Sequence, residues 1–367
     1  METTLAKRLA IDFPIFAFSH CRDVVAAVTN RGGVGVLGTT RQSVEELEYD
    51  LKWLDEHVKG RPYAVDLLFP ASSAGEDEAV LADQLPAEHR EFVEALMQRF
   101  AILPPKEPDR YSHNGDNLIP THARARAKLD VIRQHDIRLV ASALGPLPPD
   151  LAHEFHERGA LIVGLVGAPG QASRHVTAGA DIIVATGTEA GGHSGEISTM
   201  VLVPQVVDEA APVPVLAAGG IGDGRQIAAA MALGAQGVWT GSIWLTTVES
   251  DLDMEVKQKL LAASSRDTVR SRCLTGKPVR QLRTPWVDAW AGLDAPQPLP
   301  APLQGMLVRD CMTGIFDHHV EEVMGTAVGQ VVGMMHSIRS VRDVMDELIE
   351  GFLAGTESLR SLTAQYG

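Results

Sequence analysis

Short apolar runs rich in Val, Ile and Leu, each followed by an amphipathic segment, recur along the whole chain, and this alternation constrains the fold most strongly. Strands buried on both faces read as continuous apolar runs, and parallel neighbours need a crossover helix, so the pattern predicts βαβ units. Eight such runs stand at 13–18 (FPIFAF), 33–37 (GVGVL), 62–68 (PYAVDLL), 137–142 (IRLVAS), 161–166 (LIVGLV), 181–186 (DIIVAT), 213–217 (VPVLA) and 236–240 (QGVWT). None has the character of an edge strand, which favours a closed (β/α)8 barrel, the TIM barrel, over an open sheet. Helices are expected at 21–31, 43–58, 122–134, 147–158, 170–178, 201–210 and 223–233, with the eighth in 252–264.

Two regions break this rhythm. Residues 70–121, rich in Pro, Glu, Asp and Ala, form an insertion after the third strand with a helix at 86–100. Residues 265–319 are rich in Arg, Pro and Trp, and 320–363 reads as two helices, GTAVGQVVGMMHSIRS and VRDVMDELIEGFLAG. The expected organisation is a barrel over 1–264 and a C-terminal extension over 265–367, acting as a helical lid or side domain on the barrel mouth.

The 367 residues, 45% hydrophobic and 22% charged, provide enough apolar material for one large core. A formal charge of −15, with no cluster of Lys and Arg interleaved with aromatics, argues against nucleic-acid binding. The opening METTLAKRLAID has no apolar h-region and no stretch approaches the roughly 20 apolar residues of a membrane span, so a cytoplasmic protein is expected. Cys21, Cys273 and Cys311 are far apart and form no CxxC pair, so neither a metal site nor a disulfide framework is expected.

The chemistry concentrates in glycine loops at three successive strand ends. Gly187-Thr188-Glu189-Ala190-Gly191-Gly192-His193-Ser194-Gly195 follows the sixth run, on the face where barrels place their active sites. Its glycines let backbone amides approach a flat or anionic ligand, and His193 suits proton transfer near neutral pH. Glu189 is expected to bond loop amides. Ala218-Gly219-Gly220-Ile221-Gly222-Asp223-Gly224 and Gly241-Ser242 follow the next two runs, where barrels frequently bind phosphate. Asp223 is expected to cap the helix that follows. A rival signal, Gly33-Val34-Gly35-Val36-Leu37-Gly38, matches GxGxxG but follows a helix and lies within a strand, so it is read as close packing of strand two.

Taken together these segments resemble the nitronate monooxygenase group, formerly the 2-nitropropane dioxygenases. The resemblance rests on PIFAFSHCRDVVAAVTNRGGVGVLG, GTEAGGHSG, VLAAGGIGDGRQIAAAMALGAQGVWTGS, LTGKPVRQLR and GTAVGQVVG, in family order across most of the chain. It implies an FMN-dependent barrel with His193 as the catalytic histidine, Gly191 and Gly192 beside the flavin, and Gly219, Gly220, Gly241 and Ser242 around its phosphate. Gln330, with Gly329, is expected to approach from the lid side, and Phe18, Asp66 and Thr186 complete the expected cofactor-binding set. The chain departs from the family pattern where Ala17, Phe18, Ser19 and His20 replace a Gln-Ala-Pro-Met-like strand end, where Asp66 replaces Asn and where Thr186 replaces Gln. An ionised Asp cannot donate a hydrogen bond, which leaves open whether Asp66 alters the ring's electronics or binds a ribityl hydroxyl. His20 is either a second substrate-side imidazole or a surface histidine.

The resemblance implies oxidation of nitronates or nitroalkanes with O2. The alternative is an NAD(P)H-dependent FMN reductase of an enoyl thioester or quinone, and a third class is a non-catalytic flavin- or phosphate-binding barrel. The basic residues Arg270, Arg272, Lys277, Arg280 and Arg283 are read either as a solvated face or as a receiver for an anionic substrate such as a CoA thioester. A homodimer is considered for the apolar face of VVGMMHSIRSV.

Overall fold

The computed structural model describes residues 1–40, 42–69, 78–106 and 122–363. Its eight parallel strands are β1 (Ile15–Ser19), β2 (Val34–Gly38), β3 (Ala64–Leu68), β4 (Leu139–Ala143), β5 (Leu161–Val166), β6 (Ile182–Thr186), β8 (Val215–Ala218) and β9 (Gly237–Thr240). They pair in chain order and close through β1 and β9, with Phe16 opposite Trp239, so the barrel expected from the apolar runs is the barrel observed. Alternate residues explain the closure. Phe16, Val36, Ala64, Leu139, Val163, Ile182, Leu216 and Trp239 fill the interior, whereas Ile15, Leu37, Val65, Val140, Ile183 and Val238 pack outward against the helices. Both sides of every strand are therefore apolar. Leu5, from the short helix Thr4–Leu9, joins the interior cluster.

The GxGxxG segment packs as expected. A Cβ on Gly35 would lie 2.2 Å from the Val25 carbonyl oxygen, so only glycine lets helix Arg22–Asn30 sit this close to β2.

The eighth barrel helix is not where the sequence suggested. Helix Met254–Ala262 packs through Val256 and Leu260 into a second apolar cluster with Trp286, Val308 and Ile315, away from the barrel ring. Helix Val341–Thr363 takes the ring position, lying against helices Gly224–Ala232 and Arg22–Asn30 and burying Val341, Val344, Met345 and Leu348 in the main core. Gly224 permits this contact, because a Cβ there would lie 2.1 Å from the Phe352 nitrogen. The expected helix over GTAVGQVVGMMHSIRS is instead extended chain with one 3-10 turn, Gln330–Met334. Its glycines and Ser337 weaken helix propensity, and Gly329 meets the His193 loop backbone.

Residues 263–340 build the cover of the barrel mouth. Strands β10 (Thr268–Ser271) and β11 (Val279–Leu282) form a hairpin that pairs with β7 (Gly192–His193), a two-residue strand in the loop after β6. Helices Pro285–Trp290 and Leu303–Asp317, neither anticipated from the aperiodic sequence, pack behind it. Of the expected insertion, residues 70–77 and 107–121 lie outside the described residues, and its helix is observed at Ala87–Arg99. Among the described residues no helix is long and apolar enough to cross a membrane.

Candidate active site

A cavity of about 950 Å3 opens at the C-terminal ends of the strands, beneath the cover. It is lined by Phe18, Asp66, Thr186, Gly191, Gly192, His193, Gly219, Gly220, Gly241 and Ser242, which brings together ten of the eleven site residues expected from the sequence. Gln330 is the exception. It is absent from the lining, and its backbone N–H donates to the Glu189 carbonyl, so it anchors the His193 loop from behind.

His193 is held by backbone geometry. In the β7–β11 ladder it pairs with Val279, and its Nδ1 lies 3.3 Å from the Pro278 carbonyl oxygen. A carbonyl oxygen only accepts, so Nδ1 carries the proton and Nε2 holds the lone pair. Burial pulls the imidazole down to about 4, opposed by the Pro278 hydrogen bond and reinforced by the nearby Lys277 charge. The ring is therefore a neutral base at physiological pH.

The loop around it is fixed on both sides. The Arg280 guanidinium donates to the Thr188 carbonyl at 2.8 Å and Arg270 donates to the Ser194 carbonyl at 3.2 Å. Glu189 accepts from the Thr199 N–H at 3.0 Å and hydroxyl at 2.9 Å, a structural role in line with expectation. The loop glycines divide by contact. A Cβ on Gly191 would meet the Gly329 nitrogen at 2.7 Å, whereas Gly192, at φ +78°, would meet nothing within 4 Å. Gly191 serves packing, and Gly192 presents bare backbone to the cavity.

At the next strand end Gly219 and Gly220 adopt φ of +99° and +71°, a left-handed pair that turns the chain tightly from β8 into helix Gly224–Ala232. Asp223 caps that helix, with Gln226 completing a capping box. Amides around the helix start are already engaged: Gly222 and Asp223 N–H, just before it, donate to Gln226 Oε1, and Arg225 N–H donates to Asp223. An anion at this end would be met by the glycine turn and by Gly241-Ser242. A Cβ on Gly241 would likewise meet nothing within 4 Å, and the Ser242 hydroxyl accepts from the Gly329 N–H at 2.8 Å.

On the cavity wall, Asp66 Oδ1 and Thr186 Oγ1 are buried without a hydrogen-bond partner among the described residues, as is Ser194 Oγ. Burial pushes the Asp66 carboxyl up to about 7, opposed by a backbone N–H from Ala143, with no cation among the described residues near enough to hold the charge. A carboxyl in this state is a hydrogen-bond donor below neutrality, which answers the objection that an ionised Asp cannot donate. These orphaned polar atoms, the open glycines and the glycine turn together fit a flat, polar ligand ending in a phosphate. FMN has that form.

His20 lines the cavity as well, its Nδ1 donating to the Gly38 carbonyl at 2.9 Å and its ring edge-on to Phe18. Sequence reasoning missed His175. It lies on helix Pro169–Thr177, buried against Gly164, held down to about 4 by burial and the Arg174 charge, and forms part of the lining. The only signal was a histidine on the apolar face of an expected helix.

Comparison with known proteins bears on the fold and the family. The family model described as nitronate monooxygenase matches residues 3–351. A Mycobacterium tuberculosis protein provisionally named a monooxygenase is 49% identical, the match spanning 99% of both chains. A Rhodococcus jostii protein named as a dehydrogenase of a hydroxy-methyl-oxo-octahydroindene carboxyl-CoA is 37% identical over 48% of this chain and 49% of its own. The crystal structure of nitroalkane oxidase from Streptomyces ansochromogenes superposes with a TM-score of 0.81 and 24% identity, covering 97% of this chain and 100% of that one. With the barrel, the His193 loop and a family match over nearly its full length, the chain belongs to the nitronate monooxygenase family of oxidoreductases.

Proposed function

We propose that the protein is an FMN-dependent oxidoreductase that oxidises nitronates and nitroalkanes with O2, with His193 as its proton-transfer residue. The observation that carries this reading is the His193–Pro278 hydrogen bond, which leaves a neutral Nε2 in a cavity whose wall fits a flavin. When bound, FMN supplies the electron acceptor and the reaction with O2. Gly219, Gly220, Gly241 and Ser242 would hold its phosphate, and Gly192, Asp66 and Thr186 would supply further contacts to it. Phe18 forms part of the wall. His193 Nε2 removes the α-proton of a neutral nitroalkane, a step a nitronate added as the anion does not need. Val279 and Gln281 of hairpin β10–β11 and Met312, Ile315 and Phe316 of helix Leu303–Asp317 form the cover side of this centre.

Oxygen uptake by the FMN-loaded protein tests the reading. Uptake with the 2-nitropropane anion, and slower uptake with 2-nitropropane itself, is expected. No uptake with either would reject the assignment.

A second reading, NAD(P)H-dependent reduction of an enoyl thioester or quinone, is supported by two observations. The cavity is at the upper end of the roughly 300–1,000 Å3 that single small ligands occupy, with Met312, Ile315 and Phe316 on its cover side. The Rhodococcus jostii relative is named for an acyl-CoA substrate. Anaerobic addition of NADH or NADPH decides: bleaching of the flavin favours reduction, and an unchanged spectrum removes it.

A further inference from the structure

The basic stretch over the cavity is divided in its duties. Arg280 donates to the Thr188 carbonyl and to the Thr268 hydroxyl at 3.2 Å, and Arg270 gives one donor to the Ser194 carbonyl and lies 3.9 Å from Glu196, its buried Nε having no hydrogen-bond partner among the described residues. Arg283 is exposed and paired with Asp288 at 2.7 Å. Lys277 does neither. It lines the cavity next to Pro278, the residue that anchors His193, and among the described residues its ammonium has no hydrogen bond and no ion pair.

We propose that Lys277 is a specificity-determining residue that receives the planar oxyanion of the substrate, placing the nitronate oxygens beside His193. This rests on the proposed nitronate chemistry. Lys277 is half-buried on a wall shared with Leu274 and Val279, and burial lowers its pKa, with no carboxylate among the described residues opposing. Of the acids on the cavity, Glu196 and Asp251 stand at the exposed rim and Asp66 lies on the strand-end wall. A partly desolvated cation without a counter-ion is unfavourable until an anion arrives, and a compact ammonium suits a small oxyanion that slides past the base. Lys277 also carries its charge close enough to depress the His193 imidazole, so the two side chains share one neighbourhood. The charge that binds the anion thus adds to the burial that already keeps the base neutral.

Nitrate, a planar oxyanion with no carbon to oxidise, is the probe. Its dissociation constant is measured on the FMN-loaded protein through the flavin absorbance and the fluorescence of Trp286, which lines the cavity. Lys277→Met is expected to weaken nitrate by about 10- to 100-fold, the range of a charged hydrogen bond. It should raise KM for the 2-nitropropane anion by a similar factor with kcat little changed, and Lys277→Arg should restore most of both. Retention of bound FMN in each variant shows that the fold is intact. Equal nitrate affinity in wild type and Lys277→Met, or no nitrate binding at all, would overturn the proposal. Lys277-dependent nitrate binding without oxygen uptake would leave the anion site standing and reject the nitronate reading alone.

Discussion

His193 Nδ1 lies 3.3 Å from the Pro278 carbonyl oxygen, across a strand pair that joins the loop after β6 to the covering hairpin. One hydrogen bond thus sets the tautomer of the base and ties it to the cover, so the chemistry depends on residues about eighty positions downstream of the loop.

Replacing His193 with Asn should leave FMN bound and lower turnover of neutral 2-nitropropane by about 10²- to 10⁴-fold, the usual worth of a positioned base. The preformed anion should lose far less. Steady-state oxygen uptake with both forms checks this, and equal losses would remove proton abstraction from the role of His193.

The pH profile carries the same signature. Because burial holds the His193 imidazole near 4, kcat/KM for the neutral substrate should show no acid limb between pH 5 and 8 arising from this ring. A limb centred near the ordinary histidine value would show that His193 is solvated in the working enzyme.

Asp66 should make stability pH-dependent. Its folded carboxyl is raised from 3.8 to about 7, so its contribution is fully present below pH 3.8 and is lost as pH rises towards 7. Asp66→Asn removes that loss. The variant should gain on wild type in thermal unfolding between pH 5 and 8, by at most about 3 kcal/mol. A constant difference across this window would show that Asp66 is already ionised at pH 5.

Leu348→Ala tests the eighth helix. Leu348 is 1% exposed in the main core, so its truncation should cost about 2–5 kcal/mol in denaturant unfolding. A cost below about 0.5 kcal/mol, typical of the surface, would mean that the helix is a loose appendage.

The barrel was legible because each strand is apolar on both faces, and such a run has few alternatives. The loops were legible because Gly192, Gly219 and Gly220 take positive φ, a demand only glycine meets cheaply. The eighth helix was misplaced because local pattern favours the nearest helix in the chain, whereas Val341–Thr363 reaches its place after a long excursion. Gln330 was expected at the cavity because the resemblance places its GTAVGQ segment there, and the backbone of that segment does reach the loop while the side chain does not line the cavity. Arg280 and Lys277 looked alike in LTGKPVRQLR, and only the hydrogen bonds separated an anchor from a free charge. Pro278 gave no signal, since its contribution is a carbonyl.

The most direct test is an absorbance spectrum of the purified protein, recorded before and after anaerobic addition of the 2-nitropropane anion. A flavin spectrum that bleaches on addition and returns when O2 is admitted is the predicted result. A protein that neither carries FMN nor takes it up, or a bound flavin that keeps its colour with the anion, would contradict the account.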